Sequence, residues 1–261
     1  MQTQTFKKIV VVKVGSNVLT NSNNRIVEPI LNNIVRQIAY LYDRGILTVL
    51  VTSGAAIAGK EVLGEIDETD KSIRRQVFSS VGQPRLMRHY YSIFHKYGLY
   101  CAQVLATKND FSEGKHKENM INCYSGLINQ GIIPIANEDD AVSLSMSMFT
   151  DNDELASLVA TLVKADMMVL LTDIDGLYTG NPENDNSQLI NEVPLDFNVD
   201  QYIQESKKKE GEGRGGMKSK VKVAKKTAKK NIPTFIANGK HDNTIIDIVI
   251  KNENVGTKFE S

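Results

Sequence analysis

Continuous apolar runs alternate along this chain with segments whose apolar residues recur every three or four positions. The runs are typical of strands buried on both faces, and they lie at 9–15, 46–52, 99–107, 132–136, 167–172, 232–237 and, more weakly, 255–259. The periodic segments predict helices at 28–44, after 55, on either side of Gln83-Pro84, and at 117–130, 151–165, 217–230 and 244–251. Strands alternating with helices predict an α/β fold, a three-layer α-β-α sandwich around a mainly parallel sheet.

Polar and glycine-rich segments follow four of the predicted strands. In a parallel sheet, ligands bind outside the carboxyl ends of the strands. Any one such segment is an ordinary turn, but four of them on one sheet edge predict the rim of an active site. These segments are Gly15–Asn17, Ser53–Ala55, Asn137–Asp140 and Thr172–Asp173.

Composition places the chain among ordinary globular proteins. It has 261 residues, 41% apolar and 24% charged, which suits one large domain or two small ones and excludes collagen-like, coiled-coil and wholly disordered chains. The longest apolar runs are too short to span a membrane, and the first is broken by Lys13 and is a strand rather than a signal peptide. With two cysteines in no zinc pattern, we expect a cytoplasmic protein with no membrane contact.

Charge is balanced overall but concentrated in one segment. Residues 207–230 contain eleven Lys or Arg and two Glu. Such a surplus is compatible with a solvated helix face, a nucleic-acid patch or a site for a highly charged small ligand. The charged, glycine-rich part at 205–216 predicts a mobile loop.

The glycines of this basic segment do not form a known nucleotide fingerprint. Residues 211–216 satisfy GxGxxG, and the spacing to Lys218-Ser219 approaches a Walker A loop, but neither follows a strand. The segment nevertheless has two general features of an anion site. Its glycines let the backbone approach a ligand, and the helix beginning near Met217 offers unpaired N–H groups to an anion.

Lysines and carboxylates at the predicted rim carry the candidate chemistry. Lys220 lies in a first helical turn, where a cation is unfavourable unless an anion compensates it. Lys13 is near the carboxyl end of a buried strand, so its ammonium can reach the rim. Asp153 is placed to orient lysines from other loops, while Asp151 and Glu154 form a possible capping pair. The four histidines show no metal spacing.

Six short motifs are spread along the chain. They are Val12-Lys-Val-Gly-Ser16, Val51-Thr-Ser-Gly-Ala55, Ser80-Val-Gly-Gln83, Asn137-Glu-Asp-Asp-Ala-Val142, Asp151-Asn-Asp153 and Gly215-Gly-Met-Lys-Ser-Lys220. Together they resemble the glutamate 5-kinase family of the amino acid kinase superfamily, and the resemblance runs from about Lys7 to Phe259. The family's chemistry implies ATP-dependent phosphorylation of the γ-carboxylate of L-glutamate, with Mg²⁺, in a homo-oligomer (dimer or tetramer).

The resemblance also implies roles for individual residues. Lys13, Lys220 and Asp153 would be catalytic, with both lysines on ATP phosphates and the carboxylate aligning them. The remaining nucleotide contacts would come from Gly15, Thr172, Asp173, Arg214, Gly215, Gly216, Met217, Lys218 and Ser219. The glutamate contacts would come from Ser53, Gly54, Asn137, Asp140 and Asn152. The single domain would divide into a glutamate-binding part, about 1–160, and an ATP-binding part, about 161–261.

The chain also departs from the family pattern. Asp139 stands where Asn is usual and adds negative charge beside an anionic substrate, and Arg214 stands where a small Thr is common. We expect the RNA-binding-like module that many members carry after the kinase to be absent.

Other functions remain open from sequence. One is a kinase of the same fold acting on acetylglutamate, aspartate, carbamate or UMP. Another is a nucleic-acid-binding regulator using the 207–230 surplus, although that segment lacks interleaved aromatic residues for base stacking, so we expect no nucleic-acid partner. A third is a nucleotide sensor without turnover.

Overall fold

One twisted sheet organises the chain. The computed structural model describes residues 6–143, 148–199, 202, 216–253 and 255–260. The strands are β1 Lys8–Val14, β2 Ile46–Val51, β3 Cys101–Ala106, β4 Ile133–Glu138, β5 Met167–Thr172, β6 Glu192–Pro194, β7 Thr234–Asn238 and β8 Thr257–Glu260. The helices are α1 Ser16–Leu19, α2 Glu28–Tyr42, α3 Ala55–Leu63, α4 Lys71–Lys96, α5 Lys115–Asn129, α6 Asn152–Leu162, α7 Met217–Ala228 and α8 Thr244–Val249, with a 3-10 helix at Lys108–Phe111.

The sheet is mainly parallel, as the sequence predicts. Its strand order is β3-β4-β2-β1-β5-β7-β8-β6, and only the β7–β8 pair is antiparallel among the described strands. Val11 of β1 lies between Val49 of β2 and Met168 of β5. The three-residue strand β6 was not predicted, because its single buried residue, Val193, is too little for a periodic pattern.

Alternate residues of the central strands build two cores, one on each face of the sheet. Val10 and Val12 pack with residues of α2, α4 and α8 on one face. Val11 packs on the other face with residues of α5, α6 and α7. This two-sided burial explains why the central strands are apolar throughout, and it confirms the three-layer prediction.

The prediction of two helical stretches flanking Gln83-Pro84 was wrong. A single 26-residue helix, α4, runs through Pro84. A proline removes one helical hydrogen bond, but packing on both sides of it stabilises the continuous helix. Gly82 touches α3 so closely that a Cβ there would lie 1.8 Å from the Ala55 carbonyl oxygen, and Leu86 and Tyr90 are fully buried in the core.

The structure also bears on the cysteines and on membrane-spanning helices. Cys101 and Cys123 are both free thiols. Within the part of the chain that the structure describes, no helix combines the length and apolarity needed to cross a bilayer.

Candidate active site

A cleft of about 620 Å³ lies at the carboxyl ends of β1, β2, β4 and β5. All four polar segments that follow these strands contribute to its walls, as predicted for the sheet edge. The predicted site residues that line it are Lys13, Gly15, Ser53, Gly54, Asn137, Asp140, Asn152, Thr172, Asp173, Gly216, Met217 and Lys220.

Two lysines from distant parts of the chain share one buried carboxylate. The Lys13 ammonium pairs with Asp153 Oδ1 at 2.7 Å, and Lys220 Nζ donates to Asp153 Oδ2 at 2.8 Å. Asp153 is fully buried, whereas both lysines also line the cleft. The carboxylate therefore holds two cations side by side, and their shared environment carries one net positive charge.

Burial and mutual charge set the protonation of this triad. Burial by itself would raise the pKa of Asp153, but attraction to Lys13 and Lys220 outweighs burial and holds the pKa of the carboxyl well below its ordinary value. Burial lowers the pKa of Lys13; attraction to Asp153 opposes that shift, and repulsion from Lys220 adds to it. An incoming polyanion would supply the negative charge that this triad lacks.

The first turn of α6 places Asp153 between the lysines. Asp151 caps the helix, its Oδ1 accepting from the backbone N–H groups of Asp153 and Glu154 at 3.0 Å each. Its other oxygen accepts from Ser219 Oγ at 2.5 Å. Asp151 thereby ties the start of α6 to the start of α7, the helix that carries Lys220. The Glu154 carboxylate accepts from the N–H of Thr150, so Asp151 and Glu154 do not form the reciprocal capping pair.

A chain of amide hydrogen bonds organises the side of the cleft that the ends of β2 and β4 form. Asn152 Nδ2 donates to the Thr52 carbonyl oxygen at 2.7 Å, to Asn137 Oδ1 at 2.8 Å and to Ser53 Oγ at 3.0 Å. Asn137 Nδ2 in turn donates to Gln83 Oε1 of α4 at 2.8 Å. Because a backbone carbonyl can only accept, Thr52 determines which way the Asn152 amide faces. Asn152 Oδ1 is left buried, with no hydrogen-bond partner among the described residues.

Asp140 forms an ion pair with Arg75, a residue that the sequence analysis did not single out. Arg75 Nε and Nη2 each lie 2.8 Å from Asp140 Oδ1, and Ser79 Oγ donates to Asp140 Oδ2 at 3.0 Å. Arg75 Nη2 also lies 3.7 Å from Glu138 Oε2. Arg75 and Ser79 are one helical turn apart on α4, so that helix supplies both partners of Asp140.

Thr172 and Asp173 lie across the cleft, beyond the end of β5. Thr172 Oγ1 donates to Asp173 Oδ1 at 3.2 Å, and Asn17 Nδ2 donates to Asp173 Oδ2 at 3.3 Å. The following turn adds Leu177 and Tyr178 to the same wall. A hydroxyl, a carboxylate and an apolar surface are thus close together.

Glycines let backbone reach the cleft at two strand ends. Gly54 has φ of +105°, a left-handed conformation that side chains disfavour, and α3 begins directly after it. A Cβ on Gly15 would lie 3.6 Å from Lys13 Nζ and 3.4 Å from the Leu171 carbonyl oxygen. The backbone conformation at Gly54 therefore favours glycine, whereas a Cβ on Gly15 would make only ordinary van der Waals contacts.

Some predicted nucleotide contacts lie elsewhere. Lys218 is exposed and faces a surface hollow with Lys222 and Lys225, outside the cleft. Ser219 is engaged by Asp151 and does not line the cleft. Arg214 and Gly215, with most of the loop predicted to be mobile, lie outside the described residues.

Sequence reasoning missed Arg75 and assigned no role to Gln83. Neither residue carries a local signal, because both lie within a long polar helix, far along the chain from the strand-end segments. Gln83 belongs to a motif that the resemblance quoted, so its position was marked while its function was not.

The amino-acid sequence is similar to those of known proteins. Residues 8–238 match the amino acid kinase family. The chain is 39% identical over 257 residues to the glutamate 5-kinase of Bacteroides thetaiotaomicron, covering 98% of this chain and 71% of that protein. It is 36% identical over 245 residues to the glutamate 5-kinase of Alkaliphilus metalliredigens, covering 93% and 92%.

A solved structure supports the fold assignment. The isopentenyl phosphate kinase of T. acidophilum, in a product complex, superposes with a TM-score of 0.69 over 97% of this chain and 100% of that one, at 17% identity. Identity this low shows a common fold.

Proposed function

This chain belongs to the glutamate 5-kinase family, and from that premise we propose how its cleft carries out ATP-dependent phosphorylation of the γ-carboxylate of L-glutamate. The observation that carries the proposal is the pair of lysines on Asp153, because it concentrates two cations at one point of the cleft.

The main obstacle to this reaction is repulsion between two anions. The glutamate γ-carboxylate must approach a triphosphate that carries about four negative charges, so phosphoryl transfer depends on positioning and charge neutralisation. The carboxylate is already ionised at neutral pH and needs no general base. A cleft with lysines and no histidine among its described lining residues suits that chemistry.

Lys13 and Lys220 contact the transferring phosphates in this proposal, and Asp153 aligns them. Because Asp153 is fully buried behind both lysines, it fixes their spacing without facing the phosphates itself. Further contacts to the nucleotide are assigned to Gly15, Thr172, Asp173 and the segment from Arg214 to Ser219. Within that segment Gly216 and Met217 line the cleft, whereas Lys218 and Ser219 lie outside it.

Glutamate occupies the opposite end of the cleft. Asp140 and the unpartnered Asn152 Oδ1 are acceptors suited to its α-ammonium group. Ser53, Gly54 and Asn137 complete the site. An ammonium subsite of this kind would separate glutamate from dicarboxylates that lack the amino group. The division into a glutamate-binding part, about 1–160, and an ATP-binding part, about 161–261, follows this arrangement, with Lys13 and Gly15 reaching across it.

Mg²⁺ would enter with the nucleotide in this proposal. The described residues group no three His, Cys, Asp or Glu side chains that could hold a metal ion, and Asp153 is already engaged by two lysines. We therefore assign the ion no protein ligand.

We further propose that the protein is a cytoplasmic homo-oligomer, a dimer or tetramer. Ile73, Val77 and Val81 are exposed at intervals of four residues along one face of α4, and an apolar stripe of that kind suits contact with a second copy. Sedimentation velocity at micromolar concentration tests this: a monomer throughout would contradict the assembly.

Trapping of an acyl phosphate tests the proposed function. The protein is incubated with ATP, Mg²⁺ and L-glutamate in the presence of hydroxylamine, and a γ-glutamyl hydroxamate is the expected product. Acetylglutamate, aspartate, carbamate and UMP are offered in parallel as acceptors, with the release of ADP as the readout. Asp140→Ala should raise the KM for glutamate far more than the KM for ATP; equal effects would remove Asp140 from the amino-acid site.

A further inference from the structure

Arg75 brings a positive charge to the part of the cleft that Asp140 lines. Its Nε and Nη2 groups are directed at Asp140, with Glu138 nearby, as described above. The side chain is 35% exposed and lines the cleft. Its Nη1 group, which carries two N–H donors, has no hydrogen-bond acceptor among the described residues.

The other cations of the cleft are committed elsewhere. Among the described residues that line it, Lys13, Arg75 and Lys220 carry positive charge. The two lysines share Asp153. Arg75 is therefore the described cation at the Asp140 end, where it faces two carboxylates.

The charge of the substrate makes this placement informative. Glutamate carries two carboxylates and one ammonium, so a subsite made of Asp140 and Glu138 alone would repel the α-carboxylate. An arginine beside an aspartate offers one donor surface and one acceptor surface at adjacent points, which matches the α-carboxylate and α-ammonium of an amino acid. The rigid guanidinium can donate to Asp140 from one edge and donate to a second carboxylate from Nη1.

We propose that Arg75 is a specificity-determining residue that binds the α-carboxylate of the substrate through Nη1 while Asp140 binds the α-ammonium. This inference rests on the proposed placement of glutamate and deepens it. It makes Arg75 and Asp140 one recognition unit for the amino-acid end of the substrate, and it leaves the γ-carboxylate free to face the phosphates.

Substrate selectivity tests this role. L-glutamate is compared with its α-amide, which keeps the γ-carboxylate and the α-ammonium and replaces the α-carboxylate with a neutral group. Each compound is assayed as substrate and as competitor of glutamate in the wild-type protein, Arg75→Met and Arg75→Lys, so that a preference is measured or bounded for each. Arg88→Met, which removes an exposed arginine of the same helix, is the control, and thermal unfolding verifies folding.

For Arg75→Met we expect kcat/KM for glutamate to fall at least 30-fold, with the KM for ATP within twofold of wild type. The preference for glutamate over its amide should fall at least tenfold, because the neutral amide lacks the charge-assisted contact that the variant removes, and Arg75→Lys should be intermediate. A glutamate KM within threefold of wild type would overturn the inference. So would equal losses for both compounds, which would make Arg75 a positioning residue for Asp140. Failure of the wild-type protein to phosphorylate glutamate would instead overturn the proposed function, and this inference with it.

Discussion

Lys220 Nζ donates a hydrogen bond to Asp153 Oδ2 at 2.8 Å, although 67 residues separate the two along the chain. Both side chains are almost completely buried. Burying a charge is costly unless it is paired, so this contact is stable because α6 and α7 present opposite charges to each other. The same carboxylate also pairs with Lys13.

Replacing Lys220 should abolish most of the turnover. In Lys220→Ala, Asp153 stays paired with Lys13, so we expect the fold to persist while the proposed phosphate contact of Lys220 is lost. Loss of one such charged contact costs about 2–4 kcal/mol, which is roughly a 30- to 1,000-fold fall in kcat. The hydroxamate assay measures it. Lys222→Ala, an exposed lysine on the same helix, should retain wild-type turnover; near-normal activity in Lys220→Ala would refute the role.

Removing the shared carboxylate should destabilise the protein. Asp153→Asn leaves two buried ammonium groups next to each other without a counter-charge. Breaking a buried ion pair in this way costs about 3–5 kcal/mol, and a chain of this size loses about 2–4 °C in Tm per kcal/mol. We expect calorimetry to show a Tm lower by at least 6 °C. An unchanged Tm would mean that Asp153 does not hold the lysines together.

The same carboxylate should make stability depend on acid pH. The pKa of Asp153 is lower in the folded protein than its ordinary value of 3.8, so its stabilising contribution is complete above that value and is lost as pH falls below it. Urea unfolding at pH 5.0, 3.5 and 2.5 should show a free energy of unfolding that decreases toward acid, with most of the decrease below pH 3.8. The decrease should be smaller in Asp153→Asn, and equal slopes would contradict the assignment.

Close packing of α3 on α4 should make Gly82 intolerant of a side chain. A Cβ there would lie 1.8 Å from the Ala55 carbonyl oxygen, so Gly82→Ala must push α3 away from α4. Overpacking of this kind costs about 1–3 kcal/mol. Gly126→Ala is the matched control, since a Cβ on Gly126 of α5 meets nothing within 4 Å and alanine favours a helix by up to about 1 kcal/mol. Thermal unfolding should separate the two variants in opposite directions.

Gln83 should matter for glutamate and not for ATP. Gln83→Met keeps the volume of the side chain but removes the acceptor for the Asn137 amide, which in turn positions Asn152. Loss of one such bond costs about 1–2 kcal/mol, so the KM for glutamate should rise roughly 5- to 30-fold while the KM for ATP holds. Gln103→Met, which replaces an exposed residue of β3, is the control. A parallel rise in both KM values would point to general loosening instead.

Local pattern was enough to predict the sheet and its functional edge. Continuous apolar runs such as Met167–Leu171 arise because β5 is covered on both faces, so the burial of a strand can be predicted from its sequence. Polar segments such as Ser53–Ala55 mark the strand ends, where peptide groups must be free to meet a ligand. The family resemblance added the expectation that Lys13 and Lys220 converge on Asp153, and their side chains do meet there.

What the sequence by itself determined was therefore the alternation of most strands and helices along the chain and the edge of the sheet at which the cleft lies. Only the tertiary structure decided that α4 continues through Pro84, that Arg75 of that helix lines the cleft, and that Gln83 of the same helix accepts a hydrogen bond from Asn137. The physical reason is that a helix in isolation obeys local rules, under which proline ends it and a surface arginine is one among many. Packing against α3 and the carboxylate of Asp140 supplies energies that arise only when segments distant in sequence come together.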